Sequence, residues 1–246
     1  PDREARAKEQ EIKNKAVLEK NSKAKVNKHH INFYNNWWKL SYGREDMLDA
    51  IASLRRVVVV PRVCKRPTFE FCSTEIHPND ALMVFAFEDD YMFGIIQSSI
   101  HWEWWKAKCS TLEERLRYTT NTVWDTFPFP QNPKLSDIEK VAFAAKELRD
   151  KRNEVRTKHN YSLRDIYRII EEPGTNPLKD AHKKLDDAVF AAYSFGKRKD
   201  LLSQLLELNF EVADKIQKGE EVQGPGLPNW IKDKKEFVSG DCVKIN

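Results

Sequence analysis

The side chains able to do chemistry fall into three groups: six histidines, one run of three carboxylates, and Arg and Lys clusters set among aromatic residues. His29 and His30 are adjacent, while His77, His101, His159 and His182 are scattered, with no Cys or carboxylate at metal-ligand spacing. Glu88-Asp89-Asp90 would suit a hard divalent cation. Three consecutive side chains cannot converge on one ion, however, so an acidic turn is the plainer reading and no metal is expected. Phosphate-binding glycine loops, a G-x-S-x-G elbow and an H-E-x-x-H pair are missing from the sequence. The four cysteines, Cys64, Cys72, Cys109 and Cys242, contain no C-x-x-C pair, which argues against a zinc knuckle or a disulfide scaffold and for a reducing, cytoplasmic setting. What remains is cationic. Arg55, Arg56, Arg62, Lys65 and Arg66 bracket one apolar run, and Lys106, Lys108, Arg115, Arg117 and Tyr118 follow a cluster of tryptophans. Such groups neutralise phosphates, fork onto guanine edges or stack. A net charge of +4 over 246 residues is too small to carry that claim alone, so local arrangement must. Arg55 and Arg56 end an expected helix, where the dipole alone favours them, and Arg115 and Arg117 could pair with Glu113 or Glu114.

The elements that would position these groups divide the chain into four segments. Residues 1–31 carry nine Lys or Arg against five Asp or Glu and read as a basic helical arm, packing through a narrow stripe of Ile12, Ala16, Val17 and Leu18. Residues 32–133 hold six of the seven tryptophans and read as the α/β part. Strands are expected at 56–60, 68–72, 81–87 and 91–97, the last two joined as a hairpin through Glu88-Asp89-Asp90, with Gly94 marking a bulge or a close approach. Helices are expected at 44–54 and 99–108, and Trp37, Trp38, Trp102, Trp104 and Trp105 as core residues. Residues 134–220 read as helical, with capping boxes at Ser136 to Glu139 and Ser162 to Asp165, a break at 173–177 and Pro177 opening the next helix. Residues 221–246 read as a tail that is irregular or docks through Trp230. The class is α+β: a small mixed sheet with an N-terminal helical arm and a C-terminal helical subdomain. No apolar run is long enough to span a membrane, and a first residue other than Met suggests a piece of something longer.

Several ordered words carry a resemblance. Phe93-Gly94-Ile95-Ile96-Gln97-Ser98-Ser99-Ile100-His101, then Trp104, then Arg117-Tyr118-Thr119, then Asn121 through Pro130 (NTVWDTFPFP) stand in sequence. Trp37-Trp38 and Phe85 through Tyr91 precede them, and Leu163-Arg164-Asp165-Ile166-Tyr167, Pro177-Leu178 and Ala181 through Val189 follow. Together, from about Asn32 to Phe210, they resemble the target-recognition and C-terminal helical region of type II, fused restriction-modification adenine-specific DNA methyltransferases.

The resemblance implies that this region recognises double-stranded DNA for an enzyme that methylates adenine with S-adenosylmethionine. The cofactor and the catalytic Asn-Pro-Pro-aromatic motif would lie in an upstream methyltransferase domain of the same polypeptide, with or without a nuclease. Phe127-Pro128-Phe129-Pro130 does not match that motif and reads as a structural strap, so no catalytic, cofactor or metal residue is expected here. From charge and loop position, the segments at 61–67 and 109–121 would present Arg62, Lys65, Arg66, Arg115 and Arg117 to DNA, with Tyr118 and Thr119 contacting backbone or bases and Lys106 and Lys108, just before the second segment, as further DNA-binding residues. A competing reading makes the chain a protein-interaction module of a phage-defence complex, with the basic arm holding a partner. A third, a self-contained metalloenzyme built on Glu88 to Asp90, would require activity without added domains.

Overall fold

A computed structural model describes residues 2–37, 44–112, 115–196 and 198–244. Trp38 lies outside them, as do Glu113 and Glu114. The chain forms two compact units, Pro1–Asp49 and Ala50–Asn246.

In the first unit, helix α1 (Asp2–Lys20) is followed by α2 (His29–Asn35). The basic arm is therefore not one helix. Asn21 accepts from the Lys23 amide and Asn27 from the His29 amide, local bonds that compete with helix continuation. Gln10, not the anticipated stripe, ties the two together: its Oε1 accepts from His30 and Ile31, while Ile12 and Val17 are exposed. Three of the arm's cations are engaged in i,i+4 pairs, Arg6 with Asp2, Lys8 with Glu4 and Lys13 with Glu9. Trp37, expected in a core, is 62% exposed.

After α3 (Glu45–Ile51) comes β1 (Arg56–Pro61), whose Val57, Val58 and Val60 are fully buried. Then follow β2 (Val63–Cys64), β3 (Glu70–Ser73) and β4 (Leu82–Phe85). Strands β3, β1 and β4 form one antiparallel sheet in that order, with Val58 opposite both Phe71 and Phe85. The next apolar segment is helix α4 (Asp90–Gln97), not the anticipated strand and hairpin. Asp89 caps it, its carboxylate accepting from the Met92 amide at 2.7 Å. Every residue of α4 is buried, so no polar face remains to print a helical period, and periodicity cannot separate such a helix from a buried strand. Gly94 marks a close approach: a Cβ there would sit 2.6 Å from Val141 Cγ1.

Helix α5 (Ser99–Lys108) runs into β5 (Ser110–Leu112) and β6 (Arg115–Arg117), and a π-turn spans Thr120–Trp124. The helical half comprises α6 (Leu135–His159), α7 (Leu163–Ile170), α8 (Pro177–Tyr193) and α9 (Leu201–Gln217). The first cap falls two residues earlier than the S-x-x-E spacing suggests: Asp137, not Glu139, reaches back, to the Lys134 amide. Ser162 and Asp165 do form the reciprocal box, and Asn176 caps α8 with Pro177 in its first turn. Both halves share one apolar core, running from Val58, Phe71 and Phe93 through Val141, Leu148 and Leu185. The Phe127-to-Pro130 segment straps across it: Phe127 and Phe129 are buried, and the Tyr193 hydroxyl donates to the Pro128 carbonyl at 2.9 Å.

The tail docks through Leu227, Ile231 and Phe237, while Trp230 is 53% exposed. Its residues 239–241 close a buried ionic cluster. Asp90 accepts from Arg56 at 3.0 Å, from Arg149, and from the Ser239 amide and hydroxyl, while Asp241 takes Arg149 Nε at 2.7 Å and Arg56 Nη1 at 3.3 Å. Two guanidiniums thus share two carboxylates. They hold the Asp241 carboxyl well below its usual range, although its partial burial opposes the shift. Val243 then adds a parallel bridge to Cys72 on the outer side of β3. Among the described residues no helix is long and apolar enough to cross a membrane.

Candidate nucleic-acid interface

A second small sheet gathers most of the cations singled out from the sequence. Its strand order is β2-β6-β5, all antiparallel, with Val63 opposite Arg117 and Cys64 opposite Leu116. The segments at 61–67 and 109–121, remote in sequence, are therefore stitched side by side. Arg62 makes the first stitch with its main chain: its amide donates to Ala81 and its carbonyl accepts from Tyr118, both at 2.8 Å. The two-residue alternation of a strand puts Leu116 and Cys64 on the face packed against the core, where burial pushes the Cys64 thiol up to about 11. Arg115 and Arg117 occupy the opposite, exposed face.

The remaining candidates are held individually. Lys65 is exposed beside β2. Arg66 forms a bidentate pair with Glu171 at the C-terminal end of α7. Lys106 pairs with Glu103 at 2.7 Å, and the Lys108 ammonium lies 4.8 Å from the centre of the Trp104 ring; both occupy the last turn of α5, immediately before β5. Thr119 caps the π-turn, its hydroxyl bonded to that of Thr122. Tyr118 has to be withdrawn as a DNA contact. It is 1% exposed, its ring sits edge-on to Trp105 and Phe85, and its hydroxyl bonds His101 Nε2 at 3.1 Å. His101 Nδ1 faces the Ile96 carbonyl at 2.9 Å, so Nδ1 carries the proton and Nε2 accepts from the tyrosine. Full burial drives the His101 pKa down to about 4, keeping the ring neutral. Alternation places Tyr118 inward directly after outward Arg117, a parity the loop reading ignored.

Beside this sheet a groove of about 730 Å³ opens between β2–β6 and α7. Lys65, Arg66 and Arg115 line one wall, Arg164 and Tyr167 of α7 the other, and Glu70 the floor, where Arg152 neutralises it at 2.8 Å. Sequence reasoning missed Arg164; its only signal was exposed charge at the start of a capped helix.

Glu88, Asp89 and Asp90 diverge, to the Arg55 amide, the α4 cap and the ionic cluster respectively. Among the described residues no three His, Cys, Asp or Glu side chains gather as a metal site would require.

A small cation-bearing antiparallel sheet on a helical frame defines a surface-binding module. Comparison with known proteins gives the family. Residues 9–131 match the family described as MmeI, target recognition domain, and the chain belongs to it. A DNA methyltransferase A of Bacillus subtilis (strain 168) is 30% identical over 132 residues, 51% of this chain and 14% of that protein. A solved structure of the type IIL restriction-modification enzyme MmeI in complex with DNA shares the fold, with a TM-score of 0.64 at 22% identity, covering 81% of this chain and 26% of that one. The chain thus spans about a seventh to a quarter of the length of these relatives.

Proposed function

We propose that this chain is the DNA sequence-recognition region of an S-adenosylmethionine-dependent, adenine-specific DNA methyltransferase or restriction-modification enzyme whose catalytic domain lies outside it. The observation that carries the reading is the β2-β6-β5 sheet. It brings two cationic segments separated by about fifty residues into register on one rigid support, within a chain of the target-recognition family. An enzyme that acts on an extruded base must take its sequence reading, and much of its binding energy, from another surface. Arg115 and Arg117 suit that task. Two residues along a strand advance about 6.8 Å, the rise of two base pairs at about 3.4 Å each, so neighbouring guanidiniums can address base edges two steps apart. Arg62, Lys65, Arg66, Lys106, Lys108 and Thr119 border them and would meet the phosphate backbone, which fixes register without reading sequence. Double-stranded DNA is the partner, together with the catalytic domain of the same polypeptide, which would hold the cofactor and carry out the methyl transfer.

Fluorescence anisotropy with random-sequence duplex DNA tests this at two salt concentrations, for the parent chain and for Arg115→Ala/Arg117→Ala. Salt-sensitive binding that weakens at least tenfold in the variant is expected. Binding indifferent to salt and to both substitutions would return the chain to a protein-interaction role.

A further inference from the structure

We propose that the groove between β2–β6 and α7 is a track for one phosphate backbone of duplex DNA, with Arg164 its cation from the helical half and Arg66 a fork that exchanges the Glu171 carboxylate for a phosphate. This rests on the DNA-recognition reading and extends it from the sheet to the helices. Charge complementarity selects the occupant. Four cations line the groove, Lys65, Arg66, Arg115 and Arg164, against one lining carboxylate, Glu70, which Arg152 already neutralises. Pro61, Val63 and Leu82 add apolar lining, as suits the sugar edge of a backbone running between charged walls.

The Arg66–Glu171 pair indicates how the track opens. A guanidinium and a carboxylate meet there in the two-pronged geometry that a phosphate also satisfies. Their side chains are 37% and 55% exposed, so the pair is weak and either partner can be replaced from solvent. Glu171 therefore stands in for a phosphate in the DNA-free protein. Because it ends α7, the exchange also releases an ion pair that joins the β2 segment to that helix. Arg164, exposed in the first turn of α7, keeps its place either way, since the Ser162–Asp165 box anchors that turn independently.

The experiment titrates random-sequence duplex against the intact chain over a salt series, for Arg164→Ala, Glu171→Gln, the charge control Glu172→Gln and Arg115→Ala/Arg117→Ala, with circular dichroism melts to check folding. Loss of one phosphate contact should lower the log–log salt slope by about one for Arg164→Ala. Glu171→Gln should tighten binding about two- to fivefold, the range of an exposed ion pair, and more than Glu172→Gln, which alters net charge equally without touching Arg66. An unchanged slope for Arg164→Ala, or equal effects of the two glutamine variants, overturns the track. If the sheet variant still loses binding in that case, the interface survives without the groove. If the parent chain does not bind, or no substitution matters, both readings fall together.

Discussion

Substituting Asp90→Asn should cost more stability than any surface change in this chain. Asp90 is 5% exposed and faces Arg56 and Arg149, which are 2% and 1% exposed. The cluster is balanced at two guanidiniums and two carboxylates, so the amide leaves one buried positive charge without a counterion while keeping the volume. Removing one partner of a buried pair costs about 3–5 kcal/mol. In a unit of this size that lowers Tm by roughly 6–20 °C, at about 2–4 °C per kcal/mol. Coulombic repulsion between the two arginines adds to the cost, because their charges lie close together, stacked on the faces of Phe71 and Phe93. The assay is a urea and thermal melt of Asp90→Asn beside Asp90→Asn/Arg149→Met. The second variant removes the stranded charge along with its partner, so it should recover most of the loss. A single-variant cost below about 1 kcal/mol, or a double variant no better than the single, would falsify the view that charge balance governs this core.

Two further outcomes are expected. Gly94→Ala gains about 1 kcal/mol of helix propensity, but its Cβ would lie 2.6 Å from Val141 Cγ1 and 3.2 Å from Ala145 and Leu185, so the overpacking cost, roughly 1–3 kcal/mol, should dominate. Gly94→Ala/Val141→Ala should restore part of it, and a raised melting temperature for the single variant refutes the close approach. Acid should destabilise the fold between pH 6.5 and 4. Burial holds His101 and His182 down to about 4, so within that window the unfolded chain binds protons that the folded chain refuses, while Asp89, raised by burial to about 6, partly opposes them. His101→Gln should therefore reduce the slope of unfolding free energy between pH 5 and 6 by nearly one proton, about 1.4 kcal/mol per pH unit. Urea melts at the two pH values measure it, and an unchanged slope counts against a neutral buried imidazole.

The helical half was legible because its signals are local. Ser162, Asn176 and Pro177 act on amides within three residues, and the α8 apolar positions recur along one side of a helix whose other side meets water. Segment 91–97 was misread because burial on every side erases the contrast that a period needs, and Asp89, a cap one residue before the helix, was taken for a turn residue. The arm looked continuous because composition alone cannot weigh Asn21 and Asn27, whose side chains divert neighbouring amides. At the candidate interface, charge singled out two segments that the β2–β6 pairing brings side by side. Tyr118 was misplaced because charge says nothing of parity: which strand residues face outward is settled by the β2–β6 register, a contact between residues far apart in sequence. The ionic cluster was invisible for the same reason, as Arg56 and Asp241 meet across 185 residues.

That separation also has a meaning in time. At about 5–20 residues per second, Arg56 is made roughly 10–40 s before Asp241. Until then the sheet β3-β1-β4 has an uncovered margin at β3, since Val243, which bridges Cys72 there, has not been made. A nascent chain would meanwhile expose Phe71-Cys72-Ser73 as an open pairing edge, the kind of template on which neighbouring chains aggregate. The tail thus acts as a late seal, and chains stalled or clipped before residue 239 are the ones expected to burden the cell's chaperones.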